Sequence, residues 1–404
     1  MTETAVVVTG LGLMCGLGLD VETAWTGLLK GDNPVKRFSL FEPAGLRASF
    51  GIELPNGADR VFAEVISPRR RKQMTRATMI AVATADSAAA DAGLDLDALD
   101  PTRVGVVIGA TGTGYAPMTA DTDPHRILKN MACAAASWVS LTLHTKGPAF
   151  VVSTACSSGA YALHAAYMLI AGGECDVVIA GAADSALNYL DVEGFQSLMA
   201  LSEDEANMRR ASMPFDVDRS GFVMGEGGGM LVLENETFAR ERGALSKARL
   251  HRPALSSEAY NIISPSPSGE CMIRCMEKAL GNAGLAPHDI DYINAHGTST
   301  PLNDFVEAQA IKAVFKESAT RVSVSSTKSA TGHCLSGAAG VEAVLTVKTI
   351  QTGVIPPTLN LEKIDPQMDL DFTPNIPRQR NVTHAMSNAF AFGGHNSAVV
   401  FSKI

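Results

Sequence analysis

Among the seven cysteines of this 404-residue chain, no two are spaced as a Cys-x-x-Cys pair, so the sequence offers no short metal-ligand or redox motif. Their number is odd and their positions are scattered. Cys271 and Cys275, four apart on an expected helix, read as two small apolar side chains in a reducing compartment. Positive charge is also in short supply. Lys+Arg total 33 against 42 Asp+Glu, a net charge of −9, which gives no electrostatic argument for nucleic acid or an anionic membrane. No apolar run of about 18 residues free of charged and strongly polar side chains occurs, so no membrane span is expected. The opening MTETAVVVTG carries an acid and lacks a basic n-region; it reads as a first strand leading into a glycine turn rather than a secretory signal. The cytoplasm is the simplest location. One local basic run, Arg69 to Lys72 (RRRK), is either a solvated helix start or a docking patch for an acidic partner. With 46% hydrophobic and 19% charged residues, the chain is expected to bury a large core, as two domains or one two-lobed unit.

Two passages share an order of features: ADSAAADAGLDLDALDPTRVGVVIGATGTG and CMEKALGNAGLAPHDIDYINAHGTST. Each runs from a helix-compatible segment through Ala-Gly-Leu and an acidic turn into a short β-compatible run and a Gly/Thr loop. Glycine just past a helix releases the chain from helical geometry, and the runs Val104 to Ile108 and Ile290 to Ile293 suit buried strands. AFVVSTACSS and TRVSVSSTKSATGH likewise both pass from a Val-containing strand into a small polar loop before Ala-rich sequence. CDVVIAGAADS and NSAVVFSKI supply further strands. The expectation is a layered α/β core of two related halves, 1–245 and 246–404, with helices covering the sheet faces. The Pro-, Ser- and Gly-rich region 251–270 reads as a covering loop.

Cys156 stands in VVSTACSSGAYALHAA, between an apolar run and a helix-compatible one. Small residues on both sides permit a tight strand-to-helix turn, and a helix N-terminus there would favour thiolate near neutral pH. On this ground alone a nucleophile and a structurally buried cysteine stand level. Two histidines tip the balance: His296 in INAHGTST and His333 in SSTKSATGHCLSG, each in a strand-end loop of the kind that places ligand-facing groups. Converging on Cys156, their N–H groups could donate to a thioester oxygen as it becomes negative. The competing chemistry, a Cys-His-His zinc site, lacks any short ligand spacing. His125, His144, His164, His251, His288 and His384 lack this context; His164, two turns after Cys156, suits packing or capping. His395 in AFGGHNS is undecided.

The motifs STACSSGA, PFDVDRSGFVMGEGGGMLVLE, NAHGTSTPLND, SSTKSATGH and NAFAFGG, in this order across essentially the whole chain, resemble the elongating Cys-His-His type of β-ketoacyl-acyl-carrier-protein synthase. That resemblance implies a thiolase-like five-layered α-β-α-β-α fold of two similar halves. It implies acyl transfer to Cys156 followed by decarboxylative Claisen condensation with a malonyl thioester, both substrates borne on acyl carrier protein. His296 and His333 would support decarboxylation and stabilise the enolate, with no cofactor and no metal. Lys328 and Glu342 would form an interior network orienting the histidine loop, with Asp304 and Glu307 contributing, although by residue type alone a salt bridge or solvated charges serves as well. Phe392 corresponds to an aromatic gate between the acyl pocket and the malonyl side. The chain departs from the pattern at Ala391, where glycine is common and gate travel would be reduced by the methyl group, and at His395, where threonine is common. A shortened segment before Cys156 leaves acyl length and chemistry open, and Tyr115 could pack against an unsaturated or aromatic donor. The resemblance further implies a homodimer, with a heterodimer with a related ketosynthase subunit possible. A non-condensing acyltransferase or thioester hydrolase is the enzyme alternative. A silent, chain-length-controlling subunit is the third reading, against which the intact Cys156 argues.

Overall fold

The computed structural model describes residues 5–111 and 123–404; Tyr115 lies outside them. The strands that carry the architecture are β1 (Val6–Cys15), β2 (Val104–Gly109), β3 (Ala149–Val152), β4 (Val177–Asp184), β5 (Gly227–Asn235), β6 (Ala248–Leu250), β7 (Ala254–Ser257), β8 (Tyr292–Asn294), β9 (Ser323–Ser325), β10 (His384–Ala391) and β11 (His395–Ser402). The principal helices are α1 (Arg76–Asp91), α2 (Ala134–Leu143), α3 (Ser158–Ala171), α4 (Glu270–Ala283), α5 (Pro301–Phe315) and α6 (Ala338–Thr352). The first half pairs its strands in the order β3-β2-β4-β5-β1, the second in the order β9-β8-β10-β11-β7. The directions also correspond: the first two pairings in each series are parallel and the last two antiparallel. Two similar α/β halves are therefore written in the ladder itself.

Five layers follow. Helices α1 and α2 cover the outer face of the first sheet and α4 and α5 flank the second, while α3 and α6 lie between the sheets and touch both. Strand β6 hydrogen-bonds to β1 on one side and to β11 on the other, so the two halves share one continuous ladder. Strands covered on both faces carry unbroken apolar runs rather than alternation: every residue of VGVVIG in β2 and of VVIAGAAD in β4 is buried. Helix α6 obeys the same logic, being buried at every position from Ala338 to Ile350. Its threonines avoid orphaned hydroxyls by bonding one turn back, Thr346 to the Glu342 carbonyl and Thr349 to that of Leu345.

Three glycines allow the central layer to close. A Cβ on Gly159 of α3 would come 2.7 Å from the Gly340 nitrogen of α6, and one on Gly340 would come 2.5 Å from the carbonyl oxygen of Gly229 in β5. Backbone thus meets backbone at the crossing, only a few residues from Cys156. The region 251–270 differs from expectation. Near its start, residues 254–257 form strand β7, paired with His395 to Ala398; only the stretch after it, 258–268, is a covering loop.

Candidate active site

Cys156 follows β3 through a turn held by its own hydroxyls. Ser157 Oγ donates to the Thr154 carbonyl at 2.8 Å, Ser158 Oγ to that of Ala155 at 2.6 Å, and the Thr154 N–H to Ser158 Oγ at 2.9 Å. Ala155 is forced to φ +49°, a left-handed conformation that costs an alanine on the order of 1 kcal/mol. Helix α3 begins at Ser158, so the sulfur stands just ahead of the first turn. The expected readily ionised thiol is not what this position produces. Burial pushes the Cys156 thiol up to about 12, with the charge of Lys328 pulling against it and Asp184 and Glu342 reinforcing it. The dry surroundings outweigh the helix terminus, and the resting group is a thiol that needs a proton acceptor.

His333 supplies a nitrogen at that point, its Nε2 lying 3.1 Å from Cys156 Sγ. Its backbone is pinned on both sides, the N–H donating to the Val223 carbonyl and its carbonyl accepting from the Gly225 N–H. The Phe222 ring meets the imidazole edge-on at 5.1 Å. His296 approaches from the other half, its ring 5.5 Å from that of His333 and nearly perpendicular to it. The strand-end loop carrying His296 is fixed by Glu307, whose carboxylate oxygens accept from the His296 and Gly297 N–H groups at 2.8 Å each. Burial raises Glu307 to about 7 against those two hydrogen bonds.

Lys328 reaches His296, although it lies closer in sequence to His333. Its ammonium donates to the His296 carbonyl at 2.6 Å and approaches His296 Nδ1 at 3.3 Å, while pairing with Glu342 Oε1. Lys328 and Glu342 are almost wholly buried, and burial carries the Glu342 carboxyl up to about 7 despite its partner. An ammonium has only protons to offer, so it fixes the neutral imidazole of His296 with its proton on Nε2. Both histidines lie well below the usual imidazole range, chiefly through burial and then through the charge of Lys328. Asp304 acts one step further out: it accepts from the Phe215 and Ser299 N–H groups at 2.9 and 3.1 Å, and burial raises its carboxyl.

Cys156, His296 and His333 line one cavity of about 270 Å³, together with Phe222, Phe390, Phe392 and Ala391. Ala391 sits at φ −111°, ψ 158°, ordinary extended backbone, so in this conformation the methyl group imposes no strain. His164 is engaged elsewhere, its Nδ1 2.7 Å from the Pro253 carbonyl. Sequence reasoning assigned no role to Phe222, Phe390 or Arg219. The guanidinium of Arg219 donates to the carbonyls of Asp216, Thr300 and Pro301 and lies 3.9 Å from Asp304. The only signal for these three was their presence in the shared motifs.

Family comparison decides the chemistry to which this geometry belongs. Residues 3–239 match the β-ketoacyl synthase N-terminal domain and residues 248–362 the β-ketoacyl synthase C-terminal domain. The chain belongs to the β-ketoacyl synthase family. It is a condensing acyltransferase of the thiolase fold, of the kind that works in fatty-acid and polyketide synthesis. It is 39% identical to the 3-oxoacyl-[acyl-carrier-protein] synthase 2 of Rhizobium meliloti (strain 1021), over 98% of each chain. Among solved structures it resembles the AntDE:AntF assembly, a type II polyketide-synthase acyl-carrier protein in complex with its ketosynthase bound to the hexaketide (TM-score 0.90, 30% identity, 100% of both chains). It is also similar to the ishigamide ketosynthase/chain length factor (TM-score 0.91, 29% identity, 100% of both chains). Among the described residues no helix is long and apolar enough to cross a membrane.

Proposed function

We propose that Cys156 takes an acyl group from a carrier-protein thioester and that His296 and His333 then drive condensation with malonyl carrier protein. What carries the reading is the meeting, in one cavity, of Cys156 Sγ with His333 Nε2 at 3.1 Å and of both with His296. As sulfur attacks the donor carbonyl, the thiol proton passes to His333 Nε2, and a proton returns to the departing carrier thiolate. The malonyl thioester then loses carbon dioxide; the electron pair of the broken C–C bond becomes an enolate, whose oxygen accepts from the N–H on His296 Nε2. His333 Nε2 faces the same space. The enolate carbon attacks the acyl-Cys156 carbonyl, the new C–C bond forms, and the cysteine sulfur leaves and takes up a proton from solvent, the one proton the overall reaction consumes. A neutral imidazole with its proton on Nε2 suits this role, because it places a hydrogen-bond donor in the dry cavity without burying a charge there. Phe392 is the gate between the acyl side and the malonyl side. The working particle is a cytoplasmic dimer, of two identical chains or of this chain with a related ketosynthase subunit.

Intact-protein mass spectrometry and carbon dioxide release test the assignment separately. Acyl-Cys156 should form before any β-ketoacyl product two carbons longer. His296→Ala should leave acylation near the parent rate and slow decarboxylation by about 10²–10³-fold, whereas His333→Ala should slow both steps. Equal decarboxylation by parent and both variants would sink the assignment, and malonyl-independent transfer or hydrolysis would establish the non-condensing alternative.

A further inference from the structure

His395 stands where the family resemblance leads one to expect threonine, and its ring is wedged behind the Phe392 loop. Ala391 pairs with His395 across the ladder, leaving Phe392, Gly393 and Gly394 as a three-residue hairpin loop between β10 and β11. The loop is tied on one side to the covering segment, by the Gly393 N–H to the Ile262 carbonyl at 2.6 Å and by the Glu258 N–H to that of Gly394 at 3.0 Å. On another side the His395 imidazole fills the space a side chain at Gly393 would need: a Cβ there would come 2.8 Å from His395 Cδ2 and 3.0 Å from Nε2. Glycine at φ +82° is therefore required twice over, by conformation and by the ring. Behind the imidazole stands Tyr161, edge-on at 6.0 Å. Tyr161 is five residues past the nucleophile on α3, and its hydroxyl donates to the Ser256 carbonyl at 3.2 Å. The imidazole is a spacer between the gate loop and the helix that presents Cys156.

We propose that His395 is a positioning residue that limits the travel of the Phe392 loop toward α3 and thereby discriminates among acyl donors by bulk. The inference rests on the condensing reading and on Phe392 as the gate. A compact side chain at 395 would leave the volume of a ring empty beside Gly393 and let the loop swing into it; a second aromatic ring would not. The purified full-length enzyme is to be acylated in single turnovers with carrier-bound straight four-carbon and branched or long-chain donors, and condensation is followed from pre-acylated Cys156. His395→Thr should raise the ratio of bulky to small donor acylation at least about threefold with condensation from acyl-enzyme unchanged, and His395→Phe should restore the parent ratio. In a Phe392→Ala background the same His395→Thr change should alter the ratio by less than about 1.5-fold, since no gate is left to restrain. An unchanged ratio in His395→Thr, or an equal change with and without Phe392, overturns the inference while leaving the condensing assignment intact. A parent enzyme that acylates but never condenses overturns that assignment instead.

Discussion

At the scale of single residues, the site is governed by how dry it is. The Cys156 thiol is held up to about 12 by burial, so across the ordinary working range the free sulfur is protonated and its reactivity is borrowed from His333. The expected outcome is that alkylation of Cys156 by iodoacetamide is still rising with pH at about pH 9.5, with no plateau near neutrality. A plateau near pH 7 would show a preformed thiolate and contradict the burial argument. The second residue-scale consequence concerns Lys328 and Glu342, a pair with almost no solvent access. Lys328→Ala leaves a buried carboxylate and the His296 carbonyl without their donor, a loss of about 3–5 kcal/mol. Lys328→Met combined with Glu342→Leu should recover most of that stability in denaturant titrations, yet not condensation, because His296 Nδ1 has lost the ammonium that sets its tautomer. Recovery of condensation in the double variant would show that the pair serves folding alone. Cys156 and His296 were legible because each sits in a small-residue loop at a strand end, a local signal. His333 instead follows a short helix, Lys328–Thr331, and bridges to Met224, so its expected place at a strand end is corrected. That Lys328 serves His296 rather than His333 was not legible, since sequence distance says nothing of which loop an extended side chain crosses to.

At the scale of elements, the crossing of α3, α6 and β5 decides where the nucleophile stands. Gly340→Ala inserts a methyl group 2.5 Å from the Gly229 carbonyl oxygen of β5 and 2.7 Å from the Ala182 nitrogen of β4, neither of which can move without disturbing the ladder. The expected loss is about 1–3 kcal/mol, with slower acylation as α6 is pushed off the sheet and disturbs α3, whose Gly159 packs on its backbone. Gly281→Ala, on the outer helix α4 where a Cβ meets nothing within 4 Å, should shift stability the opposite way by about 0.5–1 kcal/mol through helix propensity. Thermal melts of the two variants separate crowding from propensity, and a stabilised Gly340→Ala would refute the close-approach argument. Elements with strong local signatures were readable in advance: the Val-rich cores of β2 and β4, and the glycines that follow α1 and α4 at φ +59° and +67°. Strand β7 was not. Its sequence, ALSS, has little β-propensity, and its extended form is imposed by the β11 ladder.

At the scale of the whole molecule, each half completes the other. The internal likeness of the two passages pointed to paired α/β halves, but it could not show that the central layer is shared: α6, from the second half, packs on β1, β4 and β5 of the first as well as on β10 and β11 of its own. Its five largest apolar side chains, Val341, Val344, Leu345, Val347 and Ile350, are each at most 1% exposed. At about 1.5–3 kcal/mol per buried side chain, roughly 7–15 kcal/mol is at stake, as much as the whole net stability of an ordinary domain. Strand β6 adds a ladder that begins on β1 and ends on β11. Separately produced segments 1–245 and 246–404 should therefore fail to unfold cooperatively and should bind a hydrophobic dye. Co-expressed, they should assemble into a particle with the melting behaviour of the intact chain and an acylatable Cys156. Cooperative unfolding of either segment alone would mean that its own sheet and outer helices suffice, and the central layer would then be a docking interface rather than a common core.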